Sequence, residues 1–159
     1  MNDRSILDLL AEHAFTSGLG IEDRRLLADL TTTRSYQPGE LLIQEGQPAT
    51  AFFLVVSGRI AIEVYLKGGE TRHLQTVVAN SAIGWSWLVP PYRWEFDARA
   101  LEPSTAIVVD AQRLRDLFGT HCTLGLHLTR ELLAVVADRL KSTRLQLLDL
   151  YAPSRGGSA

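Results

Sequence analysis

The sequence predicts a mainly β fold with flanking helices: an antiparallel barrel or jelly roll, preceded by short N-terminal helices and followed by one long C-terminal helix. Three observations predict it. Between Arg34 and Asp110 the apolar residues come in short β-branched and aromatic runs broken by glycine turns, the strand density of closed or double-sheet β folds. Ahead of that region apolar residues recur at three- and four-residue steps, the period of helices with one buried face. Behind it leucines recur every seventh residue, the period of a helix that meets another helix along its length.

Each element follows in order. Residues 3–13, with Ile6, Leu7 and Leu10, and residues 22–31, with Leu26, Leu27 and Leu30, read as two amphipathic helices broken at Gly18 and Gly20. "AFFLVVSGRIAIEVYL" supplies two strands around the turn Ser57-Gly58, and "TRHLQTVVA" follows the turn Lys67-Gly68-Gly69. "FDARAL" and "STAIVV" are strands separated by Glu102-Pro103. Asp110 is an N-cap for "AQRLRDLF", a short helix closed by Gly119. From Leu124 to Tyr151 a helix would run roughly 40 Å at 1.5 Å per residue. Leu126, Leu133, Leu140 and Leu147 are spaced by heptads, and Thr129, Val136, Thr143 and Leu150 fall three after each. This is an a/d seam over about four heptads, more than one small barrel can cover, and it points to self-association. The expected organisation is one domain, 1–151, made of N-terminal helices (1–33), a β-roll (34–110) and C-terminal helices (111–151), with a disordered tail at 152–159.

Composition narrows the function classes. The chain has 159 residues, 46% hydrophobic and 21% charged, with net charge −2, enough to bury one core without staples. A free-standing nucleic-acid binder carries a strong basic excess that is missing here. Cys122 is the single cysteine, so no internal disulfide forms. No apolar run reaches a membrane span, and "MNDRSILDLLAEH" lacks a signal-peptide pattern. A cytoplasmic protein without membrane partner is expected. His13, His73, His121 and His127 have no metal-ligand spacing. Ser86 in "GWSWL" lacks the flanking glycines of a nucleophile elbow, and no nucleophile–base pair is visible, so no enzyme and no metal site is expected. Glu95 and Asp97 alternate along a strand and read as solvated or paired with Arg93 and Arg99.

One segment is unusual. "IGWSWLVPPYRWEFDARA" holds all three tryptophans, with Tyr92, Phe96 and Pro90-Pro91. The proline pair excludes a regular helix or strand interior.

The run "YQPGELLIQEGQPATAFFLVVSGRIAIEV", with Gly39, Gly46 and Gly58 at turns, closely resembles the cyclic-nucleotide-binding domain, as in catabolite-activator/FNR-like bacterial regulators and kinase regulatory subunits. The resemblance implies a jelly roll (double-stranded β-helix) with N-terminal helices and a long C-terminal dimerisation helix. It also implies a ligand cassette opening on Phe-Gly-Glu, whose glutamate holds the ribose 2′-hydroxyl, while helix-start N–H groups and an arginine hold the cyclic phosphate. Here Ile83-Gly84 stands for Phe-Gly, Trp85 for the glutamate and Trp94 for the arginine; Arg93 is one position off. Asn80 takes a glycine position, which asparagine tolerates at positive φ. Thr143 takes the position of a base-contacting hydroxyl on the long helix. Losing one partner of a buried charged pair costs about 3–5 kcal/mol, and losing the ribose hydrogen bond about 1.5–3 kcal/mol. A total near ~5 kcal/mol is over three decades in affinity, so cyclic AMP or GMP is not expected as an ordinary ligand and no cofactor is expected.

Three readings of the aromatic cassette follow. It lines a pocket for a different small molecule through Ile83, Gly84, Trp85, Ser86, Trp87, Arg93, Trp94, Phe96, Arg99 and Thr143. Alternatively it fills the former site of a ligand-free dimerisation or scaffold module. In the third, Arg93 and Arg99 swing in and restore anion binding. The preferred reading is a ligand-sensing domain, homodimeric through Leu126, Leu133, Val136, Leu140, Leu147 and Leu150, that signals to a partner protein. The chain leaves no room after Tyr151 for a helix-turn-helix, so no direct nucleic-acid contact is expected.

Overall fold

The computed structural model of the chain describes residues 4–152; the tail expected to be disordered falls outside them from residue 153 on. α1 (Ile6–Glu12) opens on a capping box in which Ser5 Oγ accepts from the Asp8 N–H and the Asp8 carboxylate accepts from the Ser5 N–H. α2 (Ile21–Ala28) stops short of residue 31, because the β-branched run Thr31-Thr32-Thr33 is drawn into the first strand. Leu10, Phe15, Leu19 and Leu27 from this N-terminal segment are buried.

Eight strands follow among the described residues: β1 (Thr31–Tyr36), β2 (Leu41–Ile43), β3 (Ala51–Ser57), β4 (Arg59–Tyr65), β5 (Thr71–Val78), β6 (Ala82–Ile83), β7 (Asp97–Ala100) and β8 (Ser104–Asp110). They form two four-stranded antiparallel sheets, β1-β8-β3-β6 and β2-β7-β4-β5. This is the expected jelly roll, with its roll beginning at residue 31 rather than 34. β3 is buried continuously from Phe52 to Val55, because the opposite sheet takes one face and the N-terminal segment meets the other, Phe15 and Phe52 lying 5.1 Å apart at their centroids. β5 is an edge strand and only Val77 is buried along it. Gly58, between β3 and β4, has φ +88°, and a Cβ there would lie 2.1 Å from Ser104 Oγ, so the turn admits only glycine.

Asp110 caps α3 (Ala111–Thr120) as its sequence position predicts, its Oδ1 accepting from the Arg113 N–H at 2.9 Å. The helix runs through Gly119 and ends at Thr120. α4 (Cys122–Tyr151) has 30 residues, about 45 Å at 1.5 Å per residue. Leu124, Leu128 and Leu132, four residues apart on one face, are its buried leucines. The seam residues lie on other faces: Leu133 is 65% exposed and Leu140 50%, Leu126, Leu147 and Leu150 are exposed, and Val136 is half-buried. No helix among the described residues is long and apolar enough to cross a membrane.

Candidate ligand-binding site

The cassette leaves the roll at β6, whose Ile83 and Ala82 pair with Phe53 and Leu54. Asn80, in the turn before it, has φ +65°, the left-handed conformation its position requires, and its side chain accepts from the Ala14 N–H at 3.3 Å. From Trp85 to the start of β7 the chain runs in turns and bends without a helix. The helix start that the resemblance implies for a cyclic phosphate has no counterpart among these residues.

The three tryptophans take three different places. Trp87 is 1% exposed and packs on Phe52 and Phe118 at 5.0 and 6.2 Å, fastening the cassette between β3 and α3. Its carbonyl accepts from Arg115, whose guanidinium lies 4.3 Å over the Tyr92 ring. Trp94 is 5% exposed and lies against Gly84, where φ is +85° and a Cβ would sit 2.4 Å from the indole. Its backbone is tied to the β2–β3 loop, the Gly46 N–H donating to the Trp94 carbonyl at 2.8 Å and the Trp94 N–H to the Gln47 carbonyl at 3.0 Å. Trp85 is half-buried and faces a cavity.

That cavity, of about 480 Å³, lies between β4, β5, the cassette and α4, within the ~300–1,000 Å³ of small-molecule sites. Trp85 and Phe96, 6.1 Å apart at their centroids, form its aromatic side. Ile62, Val64 and Leu74 add apolar wall from the sheet, and Glu95 stands exposed at the rim. α4 contributes Arg139, Ser142, Thr143 and Gln146. Arg139 Nη2 donates to the Ala82 carbonyl at 2.6 Å, and its guanidinium lies 5.6 Å from the Trp85 ring. Burial pushes the Arg139 pKa down, and the neighbouring Asp138 carboxylate opposes that shift.

Of the sequence-predicted pocket residues, the fold brings Trp85, Phe96 and Thr143 to this cavity. Ile83, Ser86, Trp87 and Trp94 are buried in the packing around it, and Gly84 lies under Trp94. Arg93 and Arg99 do not swing in. Arg93 Nη1 donates to the Gly46 carbonyl at 2.8 Å in an outer loop. Arg99 Nε is 3.1 Å from Glu63 Oε2, and its Nη1 donates to the Gly39 carbonyl at 2.8 Å. On β7 Ala98 and Ala100 are buried, so Arg99 between them projects to the opposite face. The residue that sequence reasoning missed is Arg139. Its signal was a second stripe on the long helix, Leu128, Leu132, Val135, Arg139, Thr143 and Gln146 at three- and four-residue steps, apolar where α4 packs on the roll and polar where it meets the cavity.

A second cleft of about 470 Å³ is also lined by Arg139, together with Asn80, Glu131 and Asp138. It lacks the paired aromatic rings and is the weaker candidate. Among the described residues no cluster of three or more His, Cys, Asp or Glu is arranged to hold a metal ion. His13 is buried, its Nε2 placed to donate to the Val55 carbonyl at 3.1 Å while Nδ1 accepts from the Phe15 N–H at 3.2 Å.

Comparison with known proteins bears on the family and the fold. The family model of the cyclic nucleotide-binding domain matches residues 33–121. Glutaminase 1 of Bradyrhizobium diazoefficiens is 32% identical over 133 residues, which are 82% of this chain and 21% of that protein. The chain spans about a fifth of the length of the curated relatives it matches. A cyclic nucleotide-binding domain from Methylobacillus flagellatus superposes with TM-score 0.78 at 17% identity, over 95% of this chain and 85% of that one. The regulatory subunit of a cAMP-independent protein kinase A from Trypanosoma cruzi, bound to guanosine, superposes with TM-score 0.71 at 18% identity, over 92% of this chain and 50% of that one.

Proposed function

Because the chain belongs to the cyclic nucleotide-binding domain family, we propose that it is a ligand-sensing regulatory domain with a rebuilt, aromatic cassette, acting in the cytoplasm as a homodimer that signals to a partner protein. The family fold is that of a regulatory, non-catalytic module. Glutaminase activity does not transfer from a relative of which the chain spans 21%.

The observation that carries the reading is the position of the cavity. Trp85 and Phe96 line one side, and the other is α4, the helix whose leucine seam faces outward. A small molecule there touches the cassette and the helix together. If it binds one arrangement of the two better than another, it shifts their balance by that difference in free energy. The exposed Leu126, Leu133, Leu140, Leu147 and Leu150, with half-buried Val136, supply the apolar seam for a second copy. Two features argue against cyclic AMP or GMP at ordinary affinity: the Trp94 ring stands over Gly84, and the cassette has no helix start. The guanosine bound to the Trypanosoma cruzi protein is a precedent within this fold for a ligand without phosphate.

Native mass spectrometry of freshly purified chain tests the reading. The expected species has twice the 17.6 kDa chain mass and carries a small molecule lost on activation. A bare monomer, with no tryptophan fluorescence response across a metabolite panel, refutes it. The second reading, a ligand-free scaffold, draws on the deep burial of Trp87 and Trp94. It predicts a dimer whose fluorescence no metabolite alters.

A further inference from the structure

We infer that the cavity beneath α4 takes an aromatic monocarboxylate, its ring against Trp85 and Phe96 and its carboxylate on the Arg139 guanidinium. The inference rests on the reading of this cavity as the sensing site and names its ligand class. It begins with the state of Arg139. The side chain is half-buried, and among the described residues no carboxylate comes within ion-pair distance of it. Its one hydrogen bond is to the Ala82 carbonyl, and a guanidinium has five N–H donors, no acceptor and a single delocalised positive charge. A half-buried cation whose one hydrogen bond is to a neutral carbonyl, with the Asp138 carboxylate acting on it from beyond ion-pair distance, gains from an anion that reaches its remaining N–H groups.

The surroundings fix which anion. Arg139 is the one cation among the cavity's lining residues, and Glu95 at the rim adds an opposing negative charge. One positive charge against that rim suits a monoanion and disfavours a phosphate monoester, which carries more than one negative charge near neutral pH. A planar carboxylate matches the guanidinium fork. The Trp85 and Phe96 rings, with Ile62, Val64 and Leu74, make one side of the wall apolar and aromatic, facing the polar Ser142, Thr143 and Gln146 of α4, so an aromatic ring is the body that fits the side next to the guanidinium. The ring of Trp94 over Gly84 removes the alternative anion position at the cassette backbone.

The test is calorimetric titration of the full chain with benzoate and phenylacetate beside their neutral counterparts benzamide and phenylacetamide, followed also by tryptophan fluorescence. The expected result is that the acids bind at least about tenfold more tightly than the amides, the discrimination expected of one charge-assisted pair. Arg139→Gln should bring acid and amide to equal affinity, and Arg139→Lys should keep part of the preference, with circular dichroism as the folding control. The acid–amide comparison on the unaltered chain stands even if a variant does not fold. Amides that bind as tightly as the acids overturn the carboxylate assignment and leave the sensing reading standing. No binding by either class, or cyclic AMP bound more tightly than any acid, overturns the assignment. No response to any small molecule overturns the sensing reading as well.

Discussion

Gly84→Ala probes the packing that separates this cassette from a nucleotide site. Two costs are added by one methyl group. At φ +85° a residue with a Cβ costs about 1–2 kcal/mol relative to glycine. The methyl would also lie 2.4 Å from Trp94 Cζ3 and 2.8 Å from Cη2, and relieving such overpacking in a core costs about 1–3 kcal/mol. The expected loss is therefore about 2–5 kcal/mol, a large share of the roughly 5–15 kcal/mol that holds a domain folded. The second cost belongs to the Trp94 ring and the first to the backbone, so a double-mutant cycle separates them. In a Trp94→Leu background, Gly84→Ala should cost only the backbone part, about 1–2 kcal/mol. Urea denaturation of the four proteins, followed by the fluorescence of Trp85 and Trp87, gives the coupling energy. If the two substitutions add within about 0.5 kcal/mol, the indole does not occupy the space over Gly84 and the argument that it displaces a cyclic phosphate collapses.

Further predictions concern the helix, the cassette and pH. Leu140→Ala removes a half-exposed leucine from the seam, about 1 kcal/mol per copy and about 2 kcal/mol per dimer, so sedimentation equilibrium should show dissociation roughly 30-fold easier with the unfolding midpoint of the monomer unchanged; an unaltered dimer places the interface elsewhere. Arg115→Ala loses the hydrogen bond to the Trp87 carbonyl and the contact with Tyr92, worth about 1–2 kcal/mol together, and hydrogen exchange across 87–92 should quicken while α1 and α2 stay protected; unchanged exchange means that Arg115 is not the clasp. Burial lowers the His13 pKa from its ordinary 6.5, with the Val55 and Ser81 carbonyls opposing. The folded state then binds fewer protons than the unfolded state, so stability is full above pH 6.5 and falls as pH drops from there through the lower folded value. Urea midpoints between pH 7.5 and 5 should fall, and fall less in His13→Gln; an equal slope in both proteins assigns the pH dependence to other groups.

The β-roll was legible because its turns need particular residues. Gly58 cannot carry a side chain against Ser104, Asn80 sits at positive φ, and Asp110 caps the helix that follows it. Boundaries were less legible where two preferences compete: Leu30 continues a helical period while the threonines after it favour a strand, and the strand wins by pairing with β8. In the candidate site, the tertiary direction of side chains was the missing information. Family position put Trp94 where the arginine belongs, and nearness in sequence alone brought in Arg93 and Arg99 as possible substitutes, although the alternation of Ala98 and Ala100 already turned Arg99 outward. The heptad leucines drew attention to the outer face of α4, and the arginine on its inner face could not be told from Arg130 or Arg144 until the roll fixed which face looked inward.

The bond from Arg139 to Ala82 falls partway along α4, past the last fully buried leucine, Leu132. From there to Tyr151 the helix extends about 18 Å at 1.5 Å per residue, so a tilt of about 10° at that point would carry the far end sideways by roughly 3 Å. A small tilt set at the base of the cassette would thus reach the far end of α4 as a sideways displacement several times larger.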